Sequence, residues 1–393
     1  MYGAQLIEAL RSRAGAGRTE PALSERPEAM SRTGVRARPS ETIEFFGVGG
    51  EKMRAAGCDT VVDAKDLAVV GITEILSHLP KIWRLFDHLI EEADRRKPDL
   101  AVVIDSPAFN WRVARQMNKR GVPVVYYVCP QFWAWRQGRV KLLRKYLDKA
   151  LVIFPFEEKF YRDRGVDADF VGHPLAELSR PVISREQYAS TFGLDPAKPW
   201  ITLMPGSRRK EVRMNLPGIL QAARLLGAGY EFLLPVAPTL EHEYFAQFLM
   251  TARDIGEHIH LVPEALPALA HSRAGIIASG TATVEAALME LPFVMVYRVT
   301  GMTYLLGRST VKVPYFAMVN LIAGEKVVPE LVQHDFTAEA VASEMRKIIS
   351  DGPARSEMLN GLRIVRSRLR GTSGGMSAPQ RAAEAIGMLL GKR

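Results

Sequence analysis

Short apolar runs alternate with longer amphipathic stretches along most of this chain. The runs rich in Val, Ile, Leu and aromatic residues predict β-strands at residues 42–46, 100–104, 122–127, 150–154, 169–171, 200–204, 230–235, 259–262, 274–278 and 293–297. Helical patterns fill the gaps between them. Strands that alternate with helices are typical of parallel sheets covered on both faces. The pattern therefore predicts an α/β protein built from doubly wound, Rossmann-like parallel sheets.

The length and the breaks in this rhythm predict two domains. A chain of 393 residues is longer than one hydrophobic core usually organises. Gly172-His173-Pro174 and the polar run that follows it resemble a connection, so we expect domains at 1–171 and 172–366 with a ligand cleft between them. Residues 367–393 are expected to form a helical tail that packs back on the first domain. Residues 12–40 lack apolar periodicity and predict a disordered insertion.

Composition narrows the classes of partner. The net charge of +9 favours phosphates or anionic lipid surfaces, whereas no nucleic acid is expected because the cations are scattered and no nucleic-acid-binding motif occurs. Cys58 and Cys129 suggest buried free thiols. No metal or cofactor is expected, since His258 and His260 have no third ligand nearby in sequence. No apolar run is long enough to span a bilayer, which predicts a soluble or peripheral protein.

Two glycine turns, at residues 203–209 and 278–285, each lie between an apolar strand and a helix. Small residues let backbone N–H groups approach an anion, the following helix presents its positive end, and an arginine adds a guanidinium fork. Together the turns predict a phosphate site formed by Gly206, Ser207, Arg208, Ser279, Gly280 and Thr281. Glu285 lies four residues after Thr281 on the same helix face, where its carboxylate can hold ribose hydroxyls. The combination predicts a nucleotide site.

Two segments of the first half carry further candidate chemistry. Asp105 ends a predicted strand, where a carboxylate faces the ligand crevice and can act as a general base, although a helix N-cap explains it equally well. Trp133, Trp135 and Arg136 suit a wall for sugar or acyl groups beside a phosphate clamp. Core packing explains the tryptophans too. The apolar stripe at residues 69–86 fits a core helix better than a membrane surface.

Several motifs together resemble one known family. They are FGVGGEKM at 46–53, VGITEI at 70–75, IDSP at 104–107, WAWR at 133–136, FPFE at 154–157, GHP at 172–174, PGSR at 205–208 and SGTA at 279–282. From about residue 46 to the C-terminal region the chain resembles lipid-A-disaccharide synthase. That resemblance implies a two-domain glycosyltransferase of the B fold, with an N-terminal acceptor-binding domain and a C-terminal UDP-sugar-binding domain.

The resemblance also implies a reaction and a set of roles. The family joins UDP-2,3-diacylglucosamine to 2,3-diacylglucosamine 1-phosphate, with inversion to a β-1,6 linkage and release of UDP. By its motif position, Asp105 is the base and Arg208 holds the diphosphate, while Asn320 and Gln333 lie near the donor sugar. Two alternatives are another UDP-N-acetylglucosamine-dependent transferase or epimerase of the B fold and an inactive nucleotide-binding scaffold.

Acylated substrates imply a place at a membrane. We expect a cytoplasmic protein attached peripherally to the inner face of the cytoplasmic membrane of a Gram-negative bacterium. Its anionic-lipid contacts are expected at residues 69–86 and 302–306, near Arg308 and Lys312. The oligomeric state is left open, a homodimer included.

Family members begin with an apolar strand and a turn resembling Gly-Glu-x-Ser-Gly-Asp before the helix that here starts at Tyr2. This chain has neither, so Met1 is expected to be a truncated or misassigned start. Loss of a central strand would leave neighbouring strands with unpaired backbone groups.

Overall fold

The computed structural model describes residues 1–16, 43–67, 72–135, 137–177, 180–252, 254–300, 313–371 and 375–391. All strand pairs in these residues are parallel, which confirms the α/β class. The strands are β1 (Phe45–Gly49), β2 (Cys58–Asp63), β3 (Ala101–Ile104), β4 (Val124–Tyr127), β5 (Lys149–Val152), β6 (Ala168–Phe170), β7 (Trp200–Met204), β8 (Glu231–Pro235), β9 (Ile259–Val262), β10 (Ala274–Ala278), β11 (Phe293–Tyr297) and β12 (Glu330–Val332).

Helices cover these strands. They are α1 (Tyr2–Ala16), α2 (Glu51–Ala55), α3 (Ala64–Leu67), α4 (Ile72–Arg96), α5 (Pro107–Lys119), α6 (Phe132–Trp135), α7 (Val140–Tyr146), α8 (Pro155–Arg162), α9 (Arg185–Phe192), α10 (Arg209–Leu226), α11 (Glu243–Leu249), α12 (Ala265–His271), α13 (Thr281–Leu288), α14 (Met318–Ala323), α15 (Ala338–Ile349), α16 (Pro353–Arg370) and α17 (Ala378–Gly391). Short 3₁₀ turns occur at Gln137–Arg139, Pro174–Glu177, Met250–Ala252 and Gly256–His258.

The C-terminal sheet has the order β12-β11-β10-β7-β8-β9. This is the doubly wound order in which the chain starts in the middle, builds one side and then crosses to the other. The crossing point lies between β7 and β10, which pair directly, with Ile277 opposite Met204. Ligands of such sheets bind beyond the carboxyl ends of the strands at this point.

The N-terminal strands form two separate sheets. β1 pairs with β2, whereas β3, β4, β5 and β6 form a four-stranded sheet in that order. β1 and β3 each lie at a sheet edge. β4 is buried along its whole length, but three of the four residues of β3 are partly exposed. Asp105 follows the carboxyl end of β3, and the segment with Trp133 and Trp135 follows the carboxyl end of β4.

The two halves meet at a connection that the C-terminal residues hold in place. Gly172 has φ +85°, and a side chain there would collide with the Arg381 guanidinium. Arg381 donates from Nε to the Val171 carbonyl, 2.7 Å away, and from Nη2 to the Arg370 carbonyl, 2.6 Å away. α17 also packs against α1. The domain boundaries themselves stay a prediction.

Besides shifts of one or two residues at other strand ends, the predictions from sequence differ from the structure at the end of α1, at β1 and at two strands that were not predicted. α1 continues to Ala16, so residues 12–16 are helical, since Arg13 and the flanking alanines sustain the helix and Arg13 lies against Gly387 of α17. Residues 17–40 of the expected insertion lie outside the described residues. β1 runs three residues beyond the predicted strand, and β2 and β12 were not predicted.

Candidate active site

The first glycine turn connects β7 to α10. Gly206 has φ +120°, a conformation that favours glycine, and a Cβ atom there would lie 2.5 Å from Cβ of Glu211. Asn215, which is fully buried, donates from Nδ2 to the Pro205 carbonyl over 3.0 Å and accepts at Oδ1 from the Arg298 backbone N–H over 2.9 Å. The buried Asn215 amide therefore holds this turn in place.

Glu211, in the first turn of α10, closes the same loop from above. Its Oε2 accepts from the backbone N–H groups of Ser207 at 2.9 Å and Arg208 at 3.3 Å, and its Oε1 accepts from Arg208 Nη1 at 2.8 Å. The Arg208 side chain is 80% exposed. Thus the predicted anion-binding N–H groups of this turn are bonded to a carboxylate of the chain, while the guanidinium points outward.

The second glycine turn connects β10 to α13. Gly280 has φ +142°, with no atom near the position of an added Cβ. Thr283 donates to the Gly280 carbonyl from its backbone N–H at 3.2 Å and from Oγ1 at 2.8 Å, and the Ser279 hydroxyl donates to the Phe316 carbonyl at 2.9 Å. Thr281 is exposed. Since β7 and β10 are neighbours, the structure brings both turns to one edge of the sheet.

Glu285 follows on α13. Its side chain is partly buried, and burial raises the pKa of its carboxyl group. Because Glu285 lies one helical turn after Thr281, its carboxylate occupies the side of α13 that begins at the second glycine turn. This is the arrangement expected for a group that holds ribose hydroxyls beside a phosphate.

Asp105 lies at the carboxyl end of β3 and is exposed. Asp105 and Ser106 have φ of +48° and +43°, a left-handed conformation that costs non-glycine residues energy. The surrounding structure holds it: the Asp105 carbonyl accepts from the Tyr126 hydroxyl at 2.7 Å and from Asn110 Nδ2 at 2.6 Å. Strain maintained in this way is found at functional sites more often than elsewhere.

Tyr2 connects the two halves of the candidate site electrostatically. Burial raises the pKa of the Tyr2 phenol, and the negative charges of Asp105 and Glu285 raise it further. Its ring packs edge-on against Tyr127, with the centroids 6.5 Å apart. The charges of Asp105, which follows β3, and of Glu285, on α13, thus both act on this one phenol. Sequence reasoning missed Tyr2, because nothing in its local pattern marks it.

The tryptophan segment is divided between core and surface. Trp133 is 5% exposed and donates from Nε1 to Oε1 of the buried Glu157 over 2.8 Å, whereas Trp135 is 48% exposed. Burial raises the pKa of the Glu157 carboxyl to about 7. Of the two tryptophans, Trp135 is the one that offers a surface to a ligand. Arg136 lies outside the described residues.

Asn320 and Gln333, predicted near the donor sugar, are buried. The Asn320 amide donates to the Val328 carbonyl at 3.0 Å and to Glu330 Oε1 at 2.8 Å, and accepts from the N–H groups of Val327 and Val328. Gln333 has φ +56° and accepts at Oε1 from the Val299 N–H over 3.3 Å. Both side chains therefore hold the backbone at the ends of β11 and β12.

The Rossmann-like parallel sheets define the class of fold. The UDP-GlcNAc 2-epimerase of Neisseria meningitidis, solved with UDP-GlcNAc bound, is 11% identical, with a TM-score of 0.58 over 89% of this chain and 100% of that one. The calicheamicin glycosyltransferase CalG4 is 15% identical, with a TM-score of 0.56 over 100% of this chain and 95% of that one. The fold is the two-domain B fold of glycosyltransferases and such epimerases.

Sequence similarity identifies the family within that class. A family profile described as lipid-A-disaccharide synthetase matches residues 31–372. The lipid-A-disaccharide synthase of Koribacter versatilis is 51% identical over 387 residues, 98% of this chain and 94% of that protein. That of Acidobacterium capsulatum is 46% identical over 360 residues, 89% of this chain and 90% of that protein. The chain belongs to the lipid-A-disaccharide synthase family and is a glycosyltransferase.

Proposed function

We propose that this protein transfers 2,3-diacylglucosamine from its UDP derivative to 2,3-diacylglucosamine 1-phosphate, with inversion to a β-1,6 linkage. The observation that carries the proposal is the meeting of both glycine turns at the β7–β10 crossing point, with Arg208 exposed beside them. Family membership supplies the substrates. Arg208 binds the diphosphate, the Gly280–Thr281 turn donates backbone N–H groups to it, and Glu285 binds the ribose.

The acceptor reacts from the other side of the cleft. Asp105 takes the proton of the acceptor 6-hydroxyl while that oxygen attacks C1 of the donor sugar. The bond between C1 and the UDP oxygen breaks as the new bond forms, which inverts C1. Negative charge that develops on the departing UDP is stabilised by Arg208 and by the positive end of α13. Trp135 and Arg136 are proposed to contact the acceptor.

A product assay tests this function. Both lipid substrates are incubated with the protein in detergent, and the products are identified by mass spectrometry. A β-1,6 disaccharide that forms from diacylated but not from unacylated UDP-glucosamine supports the proposal. Indifference to the acyl chains, or isomerisation of the UDP-sugar without transfer, favours the transferase or epimerase alternative. UDP binding without any reaction favours the scaffold.

We also propose that the protein works at the inner face of the cytoplasmic membrane. None of the helices described is both long enough and apolar enough to cross a bilayer. On α4, Leu79 and Trp83 are exposed, at 38% and 47%, and the Arg112 guanidinium lies over the Trp83 ring, 5.6 Å from its centroid. An exposed aromatic beside a cation suits the interface of anionic lipid. Residues 69–71 and 302–312 lie outside the described residues.

Co-sedimentation with liposomes tests the membrane proposal. Binding should rise with the fraction of anionic lipid and fall in Trp83→Ala. Ile364→Ala on α16, which removes an apolar side chain of similar exposure (45%), is the matched control and should bind as wild type. Background binding at every lipid composition would refute the proposal.

A further inference from the structure

The first glycine turn already contains an anion, the Glu211 carboxylate. A helix N-terminus attracts negative charge because its first N–H groups have no partner within the helix. Just before α10, the backbone N–H groups of Ser207 and Arg208 are bonded to Glu211 Oε2. Glu211 stands three residues after Arg208, the spacing at which an acidic side chain reaches back to the start of its helix.

The glycine at position 206 fits this close approach of Glu211. A Cβ atom on Gly206 would lie 2.6 Å from Glu211 Oε2 as well as 2.5 Å from Glu211 Cβ. No side chain fits between the turn and this carboxylate. The contact is thus part of how the turn is built, and a diphosphate cannot reach the Ser207 and Arg208 N–H groups without displacing it.

The Arg208 guanidinium is positioned by the same carboxylate and remains open to a ligand. Its ion pair with Glu211 uses Nη1, and a guanidinium has five N–H donors arranged in a planar fork. With Nη1 held, the plane and direction of the group are restricted, while the Nε and Nη2 donors have no partner among the described residues and can bind a phosphate. A bidentate guanidinium–phosphate contact needs this planar alignment.

We propose that Glu211 is a positioning residue that presents the open edge of Arg208 to the donor diphosphate and closes the Gly206 turn to anions. It follows that backbone N–H groups bind the diphosphate at the Gly280–Thr281 turn, while the Gly206 turn contributes a side chain. The two turns, which look equivalent in sequence, therefore act differently. This inference rests on the proposed function, because it assigns the diphosphate to Arg208.

Glu211→Gln is the test variant. A single amide oxygen cannot satisfy the Ser207 and Arg208 N–H groups and Arg208 Nη1 together, so the guanidinium loses its restraint. We expect the Kd for UDP and the KM for the UDP-sugar to rise about tenfold, with kcat within about twofold of wild type. Glu241→Gln is the matched control, because it breaks the neighbouring exposed pair of Glu241 with Arg209, 3.2 Å apart, and should leave these constants unchanged.

A double-mutant cycle separates positioning from general support of the turn. If Glu211 acts through Arg208, Glu211→Gln should change the UDP Kd less than about twofold in the Arg208→Ala background. A further tenfold loss there would mean that Glu211 only supports the turn, and tighter UDP binding by Glu211→Gln alone would mean that the carboxylate competes with the diphosphate. Either result overturns the inference.

The wild-type measurements distinguish this inference from the function on which it rests. If the wild type binds UDP and transfers sugar while Glu211→Gln behaves identically, only the positioning role is wrong. If the wild type does not bind UDP at all, the proposed function fails and the role of Glu211 fails with it.

Discussion

The two halves of the molecule arrange their parallel strands differently. In the C-terminal half one six-stranded sheet runs without a break through its crossing point, and every residue of β10 is buried. In the N-terminal half the strands belong to two sheets, and β1 and β3 are partly exposed edge strands. The two glycine turns therefore project from a continuous buried sheet, whereas Asp105 projects from an edge strand.

Backbone strain differs between the turns that carry the candidate site residues, although the C-terminal half also holds Glu290 and Gln333 at positive φ elsewhere. The turns after β7 and β10 use glycine for positive φ, which costs no steric strain. After β3 and β4 the positive φ values belong to Asp105, Ser106 and Val128, at about 1–3 kcal/mol each. The two glycine turns therefore reach positive φ at low cost, whereas hydrogen bonds from neighbours hold the candidate base Asp105 in a strained conformation.

The largest expected effects are those of one substitution in each half, at the proposed base Asp105 and at the proposed diphosphate ligand Arg208. Asp105→Asn should lower kcat by about 10²–10⁴-fold, since it removes the proposed base, and leave the Kd for UDP unchanged. Arg208→Ala should lower kcat/KM by about 10²–10³-fold and weaken UDP binding. Steady-state kinetics and calorimetry measure both. Near-normal turnover by either variant would remove that residue from the mechanism, and weaker UDP binding by Asp105→Asn would end the division of roles.

An isoleucine-to-alanine substitution in each half, with a smaller expected effect, tests the difference in burial between the sheets. Ile277→Ala in β10 empties a site that is fully buried and should destabilise by about 2–5 kcal/mol. Ile104→Ala in β3 acts at a partly exposed edge, so its cost should be about half as large or less. Hydrogen exchange resolved by segment measures each sheet separately. Equal losses would show that the edge position of β3 does not weaken its packing.

The same burial difference explains which elements could be predicted from sequence. β7, β10 and β11 have the predicted bounds, because a strand covered on both faces is a continuous apolar run. β9 also has the predicted bounds, although it is an edge strand in which His260 and Leu261 are partly exposed. β2 was missed because Val61 and Val62 are its only adjacent aliphatic residues. β12 is only three residues long, too short for a periodicity to appear.

The candidate site was predictable where a local motif carries it and not where contacts between distant segments do. The glycines and Asp105 are marked by their position at strand ends, and Glu211 has a local signal in its spacing from Arg208. Tyr2 has none, because its proximity to Asp105 and Glu285 exists only after folding. Trp133 and Trp135 are alike in sequence, yet residues two apart point about 200° apart on a helix, so one enters the core and the other does not.

Buried carboxylates provide the last contrast between the halves. In the C-terminal half Glu231 lies 2.7 Å from His260 Nε2 and 3.3 Å from Lys198 Nζ. In the N-terminal half Glu157 accepts from the Trp133 indole and from the backbone N–H groups of Ile153 and Phe154. These donors are neutral, so burial raises the pKa of Glu157 to about 7. Nearby, burial lowers the pKa of His173 to about 4, and its ring packs on Phe154 with the centroids 5.2 Å apart.

These two groups should give opposite pH dependences of stability. The folded pKa of Glu157 lies above its ordinary value of 4.5, so its contribution to stability is complete below pH 4.5 and is lost as pH rises through about 7. The folded pKa of His173 lies below its ordinary value of 6.5, so its contribution to stability is complete above pH 6.5 and is lost as pH falls through about 4. Each shift corresponds to at most ~3 kcal/mol, and between pH 4.5 and 6.5 the two largely offset each other in the wild type.

Single substitutions should make the two opposing pH dependences of the free energy of unfolding measurable. Glu157→Gln leaves the histidine term, so the free energy of unfolding should rise from pH 4.5 to 6.5. His173→Asn keeps an acceptor for the Leu175 N–H, now bonded to His173 Nδ1 at 3.1 Å, and leaves the glutamate term, so stability should fall over the same range. Urea unfolding at several pH values measures the slopes, with Glu231→Gln as the comparison from the C-terminal half. Slopes of the same sign in Glu157→Gln and His173→Asn would contradict the proposal that both groups are buried in their neutral forms. A buried neutral carboxyl group and a buried neutral imidazole produce slopes of opposite sign.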